Sequence, residues 1–403
     1  DILVVDEAHN VAPSGRGAFA VDSQRTVAIR TIARHFEHRL FLTATPHNGY
    51  TESFKALLTL LDDQRFSLSL GIDEKQLATV MVRRLKSELQ ERPGRPPRFP
   101  VRKLLHIRVP YTAEERSVHE ALRAYATSRR KSAQGSEEEF AAEFVTKLLK
   151  KRLFSCPAAF GSTLDKHAAT VSAGRRRAVS ERPSLGVLRR AADQVEESYE
   201  DDREQQEATD GAVETASRLF RGFSPEEQQL VRQMRDWAQR HAGKPDSKAQ
   251  ELLRFLRETV KPGGTWADTR VLVFTEYRDT LNWLQQLLAS ERLAEAGRLE
   301  TLFGGQDPKK REAIKASFLA SPVDSPLRIL LATDSASEGI DLQRHCSRLV
   351  HYEIPWNPNR MEQRNGRVDR YGQPDPEVRV YHFVDHTFEE AAPRALANAD
   401  DRG

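Results

Sequence analysis

Sulfur is scarce in this 403-residue chain, which holds two cysteines, Cys156 and Cys346, and three methionines. Two thiols cannot build a disulfide framework or a four-cysteine zinc site, which sets aside the small stapled folds of secreted proteins. Long apolar runs are missing as well. None approaches the roughly 18 residues that a membrane-spanning helix needs, and no leader-like segment opens the sequence, so the expected location is cytoplasmic. Net charge is also small: 62 Lys and Arg against 59 Asp and Glu leave +3. There is no global cationic field, and any contact with nucleic acid must come from local patches. The hydrophobic share of 38% supports a core, but 30% charged residues make the chain more polar than an average globular protein. That balance predicts long solvated helices or a partly disordered insert, and the length predicts two or three domains of about 150 residues.

The chain begins on Asp1 and runs straight into Ile2-Leu3-Val4-Val5, which reads as a buried parallel strand. Folded domains seldom start inside a central strand, so a piece of a longer protein is expected. Arg25–Phe36 reads as a helix, Leu40-Phe41-Leu42 as a second strand and Glu52–Leu61 as a helix, the grammar of a parallel α/β sheet. Pro93-Gly94-Arg95-Pro96-Pro97 marks a boundary. From Thr112 to about Arg152 the pattern is helical, with Leu122, Tyr125, Phe140, Phe144, Leu148 and Leu149 on apolar faces. A basic piece from Arg175 and an acidic one from Asp193 to Glu207 read as a solvated face or disordered linker. A second α/β block follows: strands at Val271–Phe274, Arg328–Ala332, Leu349–Ile354 and Val378–Val384, with a helix whose stripe is Leu281, Leu284, Leu287 and Leu288. The expected fold class is thus α/β: two parallel-sheet blocks, 1–100 and 246–390, around a helical insert, 101–245, with a tail at 391–403. The charged stretch near 165–215 is the part of the insert expected to lack order.

Several short strings carry chemistry. Asp6-Glu7-Ala8-His9 follows the first strand, at the carboxyl end where α/β sheets bind ligands. The first carboxylate there suits the water shell of Mg²⁺, and the second suits proton removal from an attacking water. Thr43-Ala44-Thr45-Pro46 follows the second strand, with hydroxyls that can hydrogen-bond the acidic pair or its His. The blander reading makes Thr45 a cap and Pro46 a turn start. Thr333 through Leu342 follows a strand; Gly339 permits close backbone approach, Asp341 suits a ribose hydroxyl, and Thr333 can donate to a phosphate. Most specific is Glu362-Gln363-Arg364-Asn365-Gly366-Arg367-Val368-Asp369-Arg370. Arg367 and Arg370 share a face if the segment is helical, and paired guanidiniums suit the charge on a transferring phosphoryl group. Pairing of Arg364 with Glu362, or of Arg370 with Asp369, is the structural alternative.

This ordered set, with Val271–Tyr277, resembles motifs II through VI of superfamily-two helicases, and within them the Swi/Snf-type translocases. Met81 through Lys86, Pro355-Trp356-Asn357-Pro358 and Tyr371-Gly372-Gln373 fit the same group. The bacterial HepA-like branch is nearer than the eukaryotic remodellers, and Thr43–Phe66 looks most like DrmD, the helicase family of DISARM phage-defence systems. The resemblance implies two RecA-like lobes, the first incomplete, using ATP and Mg²⁺ on double-stranded DNA, with other phage-defence proteins as partners. It implies that Asp6 holds Mg²⁺ through water and that Glu7 orients and deprotonates the attacking water. His9, Thr43 and Thr45 would couple the nucleotide site to the second lobe, Gln363 would belong to the catalytic set with Asp6, Glu7 and His9, and Arg367 and Arg370 would be arginine fingers. Gly339 and Asp341 would contact the nucleotide and Thr333 a strand phosphate. Trp356 would brace the second lobe against DNA or lie in its core.

One departure from the family stands out. No G-x-x-x-x-G-K-[ST] occurs in the sequence; the nearest fragment, Ala242-Gly243-Lys244-Pro245, has Pro where the hydroxyl belongs. That loop supplies the main grip on the β- and γ-phosphates. The expectation is therefore an ATP-driven translocase of which this chain alone is inactive. Two alternatives stand beside it: an RNA or single-strand helicase of the same superfamily, and a nucleotide-dead DNA-binding scaffold.

Overall fold

A computed structural model of the chain describes residues 1–12, 24–43, 46, 51–67, 71–89, 98–174, 183–196, 201–337, 340–355 and 357–386. By its contacts the chain divides into two compact units. One is formed mainly by residues 1–96, the other mainly by 97–195, 199–355 and 363–403.

The first unit contains a two-stranded parallel sheet, β1 (Ile2–Val5) and β2 (His38–Phe41), paired from Ile2 with His38 to Val5 with Phe41. Two parallel strands need a crossover, and the helix Gln24–Ala33 lies between them in sequence. Thr51–Leu61 carries a clear apolar stripe, buried at Ala56, Leu57, Leu58 and Leu60. Leu57 joins Val5, Ala8 and Val11 in one small core under the carboxyl end of β1.

The second unit is built on a six-stranded, all-parallel sheet. Its strands are β3 (Val101–Val109), β4 (Val271–Thr275), β5 (Leu299–Leu302), β6 (Ile329–Thr333), β7 (Arg348–His351) and β8 (Glu377–Asp385), in the order β3-β8-β7-β4-β6-β5. Every residue of β4 and β6 is buried, as a strand covered on both faces must be. The period of two then separates two cores. Val271, Val273, Ile329 and Leu331 face the Leu281–Leu284–Leu288 stripe, while Leu272, Phe274, Leu330 and Ala332 face Ile314 and Phe318. At about 1.5–3 kcal/mol for each large side chain buried, these two layers dominate the unit's stability.

Helices Ala113–Ser132, Ser136–Ser155, Pro157–Gly174, Asp202–Ser217 and Pro225–His241 build the insert. Its core gathers Leu122, Tyr125, Val145, Leu149, Phe160, Leu164, Met234 and Trp237. Two starts are fixed by reciprocal capping boxes, Thr112 with Glu115 and Ser224 with Glu227. The bundle is tied to the sheet: Ser155 donates to Glu353, Lys151 pairs with Glu276, and the Arg152 guanidinium lies 3.7 Å over the Tyr277 ring.

The parallel α/β expectation holds for the second block, and three readings need correction. The insert does not begin at 101 with helix. Residues Val101–Val109 form β3, whose register with β8 runs from Val101–Glu377 to Val109–Asp385. Its uneven apolar pattern is that of a sheet edge, so neither helical nor alternating periodicity marks it. β5 also escaped the sequence reading; four residues with a central Glu300 give too short a run. Finally, the acidic stretch is in part a helix. Asp201 caps Asp202–Ser217 by accepting from the Arg203 N–H at 2.8 Å, and Ala212, Val213 and Ala216 bury one face.

Candidate functional site

In the first unit the chain leaves β1 through Asp6 and Glu7, both exposed, and enters a short 3₁₀ turn at Ala8–Val11. Glu7 sits in the left-handed region at φ 47°, ψ 47°, uncommon for a residue with a Cβ and a mark of local backbone strain. The Asp6 Oδ1 accepts the Glu7 N–H at 2.9 Å. The Ala8 N–H donates to the Leu42 carbonyl at 2.9 Å and the Leu42 N–H to the Val5 carbonyl at 2.8 Å, which locks the two strand ends together. His9 lies between both strings: its Nδ1 is 3.0 Å from Thr43 Oγ1 and 3.3 Å from Glu7 Oε2. The structure thus brings Glu7, His9 and Thr43 into one cluster with Asp6 beside it. Among the described residues no group of three or more His, Cys, Asp or Glu is arranged to cage a metal. An exposed carboxylate suits Mg²⁺ all the same, because that ion keeps most of its waters and takes one or two carboxylates together with substrate phosphates.

In the second unit Thr333 is the last residue of β6, one place beyond the strand read from sequence, and it is fully buried. Its Oγ1 donates to Asp202 Oδ2 at 2.8 Å, a residue of the acidic stretch 131 positions away. The next residue, Asp334, receives a bidentate fork from Arg364, Nε to Oδ1 at 2.5 Å and Nη2 to Oδ2 at 2.7 Å. Arg364 Nη1 also donates to the Glu353 carbonyl at 2.8 Å. Arg364 therefore does not pair with Glu362; it is buried and binds the β6 end to the helix Pro358–Asn365. Burial alone would push its guanidinium down, but the Asp334 carboxylate more than offsets that and holds it up.

Arg367, also buried, follows that helix and donates from Nε to the Gln363 carbonyl at 3.2 Å and from Nη1 to the Ile340 carbonyl at 3.3 Å. Arg370 is exposed and pairs with Asp341 rather than with Asp369, which pairs with Arg102. The proposed nucleotide contact Asp341 and the proposed finger Arg370 are thus each other's partners in this structure. Thr45, Gly339 and Trp356 lie outside the described residues. Both thiols are buried, and burial pushes Cys156 up to about 12 and Cys346 to about 11, so neither is a nucleophile.

Sequence reasoning missed Asp202, Gly304 and the Asp334–Arg364 fork. Only for Asp202 was there a local signal, two aspartates ahead of a helical pattern, and that signal indicates a cap rather than burial.

Residues 248–372 match the family model of the helicase conserved C-terminal domain. That block is similar to a helicase conserved C-terminal domain. It covers β4 to β7 and the helix carrying Arg364, the part in which the motif strings and the sheet coincide. By sequence, the chain is similar to the "Uncharacterized ATP-dependent helicase YqhH" of Bacillus subtilis (strain 168), 36% identical over 146 residues, covering 36% of this chain and 23% of the relative. It is similar over almost its whole length to the "RNA polymerase-associated protein RapA" of Vibrio campbellii (strain ATCC BAA-1116), 24% identical across 96% of this chain and 35% of the relative. Among solved structures, the C-terminal part of the Fun30 ATPase domain superposes with a TM-score of 0.42 at 13% identity, over 73% of this chain and 89% of that one. The matches thus span about a quarter and a third of the length of the two curated relatives. No described helix is long and apolar enough to cross a membrane.

Proposed function

We propose that the chain is part of an ATP-driven, Swi/Snf-type motor that moves along double-stranded DNA, and that it serves bacterial phage defence as a member of the DrmD family. The observation that supports the motor reading is the match of residues 248–372 to the helicase conserved C-terminal domain, a range that includes Arg367 and Arg370. The duplex and defence assignments rest on the Swi/Snf-like strings quoted above.

In this reading Asp6 would hold Mg²⁺ through its water shell, and the chemistry the ion would supply is neutralisation of phosphate charge on ATP. Glu7 orients a water and takes its proton. His9, with Thr43 against its Nδ1, holds Glu7 in place; the 3.0 and 3.3 Å contacts support that role. Gln363 sits in the same helix as Arg364 and belongs to the catalytic set, while Thr45 joins Thr43 and His9 in coupling. Arg367 and Arg370 stabilise charge on the transferring phosphoryl group, Arg370 by exchanging Asp341 for phosphate. Gly339 and Asp341 contact the nucleotide, and Trp356 braces the second block. We propose the domain division 1–100, 101–245, 246–390 and 391–403, with Val101–Val109 moved from the insert to the second sheet.

The sequence holds no phosphate-binding loop, so the 403-residue chain alone is expected to hydrolyse no ATP above background. The decisive assay uses a gene product that also carries such a loop upstream of β1, with duplex DNA, single-stranded DNA and RNA, and Glu7→Gln as control. Stimulation by duplex alone, lost in the variant, supports the translocase. Stimulation chiefly by single strands or RNA moves the protein to the helicase alternative. DNA binding without turnover leaves the scaffold.

A further inference from the structure

The carboxylate of Asp202 is held by donors alone. Oδ2 accepts from the Gly304 N–H at 3.0 Å and from Thr333 Oγ1 at 2.8 Å, and Oδ1 accepts from Ser335 Oγ at 2.5 Å. Arg278 lies close enough to couple favourably to it, with its guanidinium 3.0 Å over the Phe303 ring. Asp202 is 3% exposed. The donors come from the carboxyl ends of β5 and β6, adjacent strands paired at Leu302–Ala332, where parallel sheets present their ligand-binding edge. One backbone N–H, two hydroxyls and a guanidinium form a set that suits the two free oxygens of a phosphodiester as well as it suits a carboxylate.

The approach is close. At Gly305, φ is +76° and an added Cβ would stand 2.5 Å from Asp201 Oδ2, so the start of the helix Asp202–Ser217 lies directly on the Gly304–Gly305 turn. Burial raises the Asp202 carboxyl above its usual range, even though Ser335, Thr333 and the Gly304 N–H oppose that shift. A buried acid held against its own desolvation is a costly way to cap a strand end, since an apolar contact would leave no charge to neutralise. The surrounding segment from 193 to 207 holds eight acidic residues and one arginine, a polyanionic stretch like the ligand it would replace.

We infer that Asp202 occupies the seat of a nucleic-acid backbone phosphate, so that the insert blocks strand binding until the helix start is displaced. This rests on the DNA-motor reading above and adds an internal competitor to it. Negative charge is exchanged for negative charge at one set of donors, and Thr333 serves both occupants.

Binding of a 20-base-pair duplex to the 403-residue chain at fixed salt tests the inference. Asp202→Ala is expected to bind about tenfold tighter or better, corresponding to about 1.4 kcal/mol. The gain should disappear in the Asp202→Ala/Thr333→Ala double variant, and the exposed neighbour Glu204→Gln should give less than twofold. Asp202→Asn keeps the shape, and is expected to give a smaller gain in the same direction if Asp202→Ala does not fold. In the parent, duplex should speed amide hydrogen exchange at 203–206. Equal affinity of parent and both Asp202 variants, an equal gain in Glu204→Gln, or a gain that survives loss of Thr333 overturns the inference and leaves DNA binding intact. No duplex binding by any variant removes the DNA reading and the inference together.

Discussion

The Arg364–Asp334 fork offers a quantitative test of what holds the second sheet together. Arg364 is 1% exposed and Asp334 21% at the side chain. Arg364→Met removes two charge-assisted hydrogen bonds to Asp334 and one to the Glu353 carbonyl, and takes away the guanidinium 5.4 Å from the Phe274 ring. Breaking a buried pair from one side costs about 3–5 kcal/mol, mostly because the other charge is stranded. Partial exposure lets water reach Asp334, which places the expected loss near the lower bound, ~3 kcal/mol, or roughly two powers of ten in the folding equilibrium. Adding Asp334→Asn removes the stranded charge, so the double variant should recover ~1–2 kcal/mol. Native-state hydrogen exchange at the amides of β4, β6 and β7 reads the stability of this sheet directly. A single-variant loss below ~1 kcal/mol, or a double variant no more stable than the single, would refute the reasoning.

Other measurements follow from the same structure. His167 is fully buried between Tyr125 Oη at 2.5 Å and Ser217 Oγ at 2.7 Å, and burial pushes its pKa down to about 3. It is neutral when folded and charges on unfolding, so stability falls as pH drops below the unfolded value of about 6.5, until about 3. Its share of the slope is at most ~1.4 kcal/mol per pH unit, and His167→Gln should flatten urea midpoints between pH 6.5 and 4.5; an unchanged slope counts against the assignment. Gly305→Ala meets both a left-handed backbone and Asp201 Oδ2 at 2.5 Å, whereas Gly263→Ala at φ +61° meets no atom within 4 Å. The first should lower the melting temperature clearly more than the second, which carries only a backbone cost of ~1–2 kcal/mol. Equal losses would show that the helix start does not press on Gly305. Duplex affinity should fall steeply and linearly in log Kd against log salt if phosphates dominate binding, and a flat response would exclude that.

Much of the second sheet was legible because its signals are contiguous. β4 and β6 are apolar runs, and the stripe Leu281, Leu284, Leu287, Leu288 repeats at helical spacing, so burial on one side follows from periodicity alone. The motif strings likewise announce themselves, since chemistry at a strand's carboxyl end needs its residues within a few positions of one another. Other features arise from pairings that no local window contains. β3 is a strand because β8 lies beside it, more than 260 residues further along the chain. Arg364 chooses Asp334 over Glu362 because the β6 end, and not its own helix, offers a carboxylate at fork distance. Asp202 looks solvated in sequence, one acid among many. Only the fold brings it to Gly304, Thr333 and Ser335, whose converging donors stabilise a carboxylate that burial alone would expel. Periodicity records which side of an element avoids water; which charges meet there is decided when the elements pack.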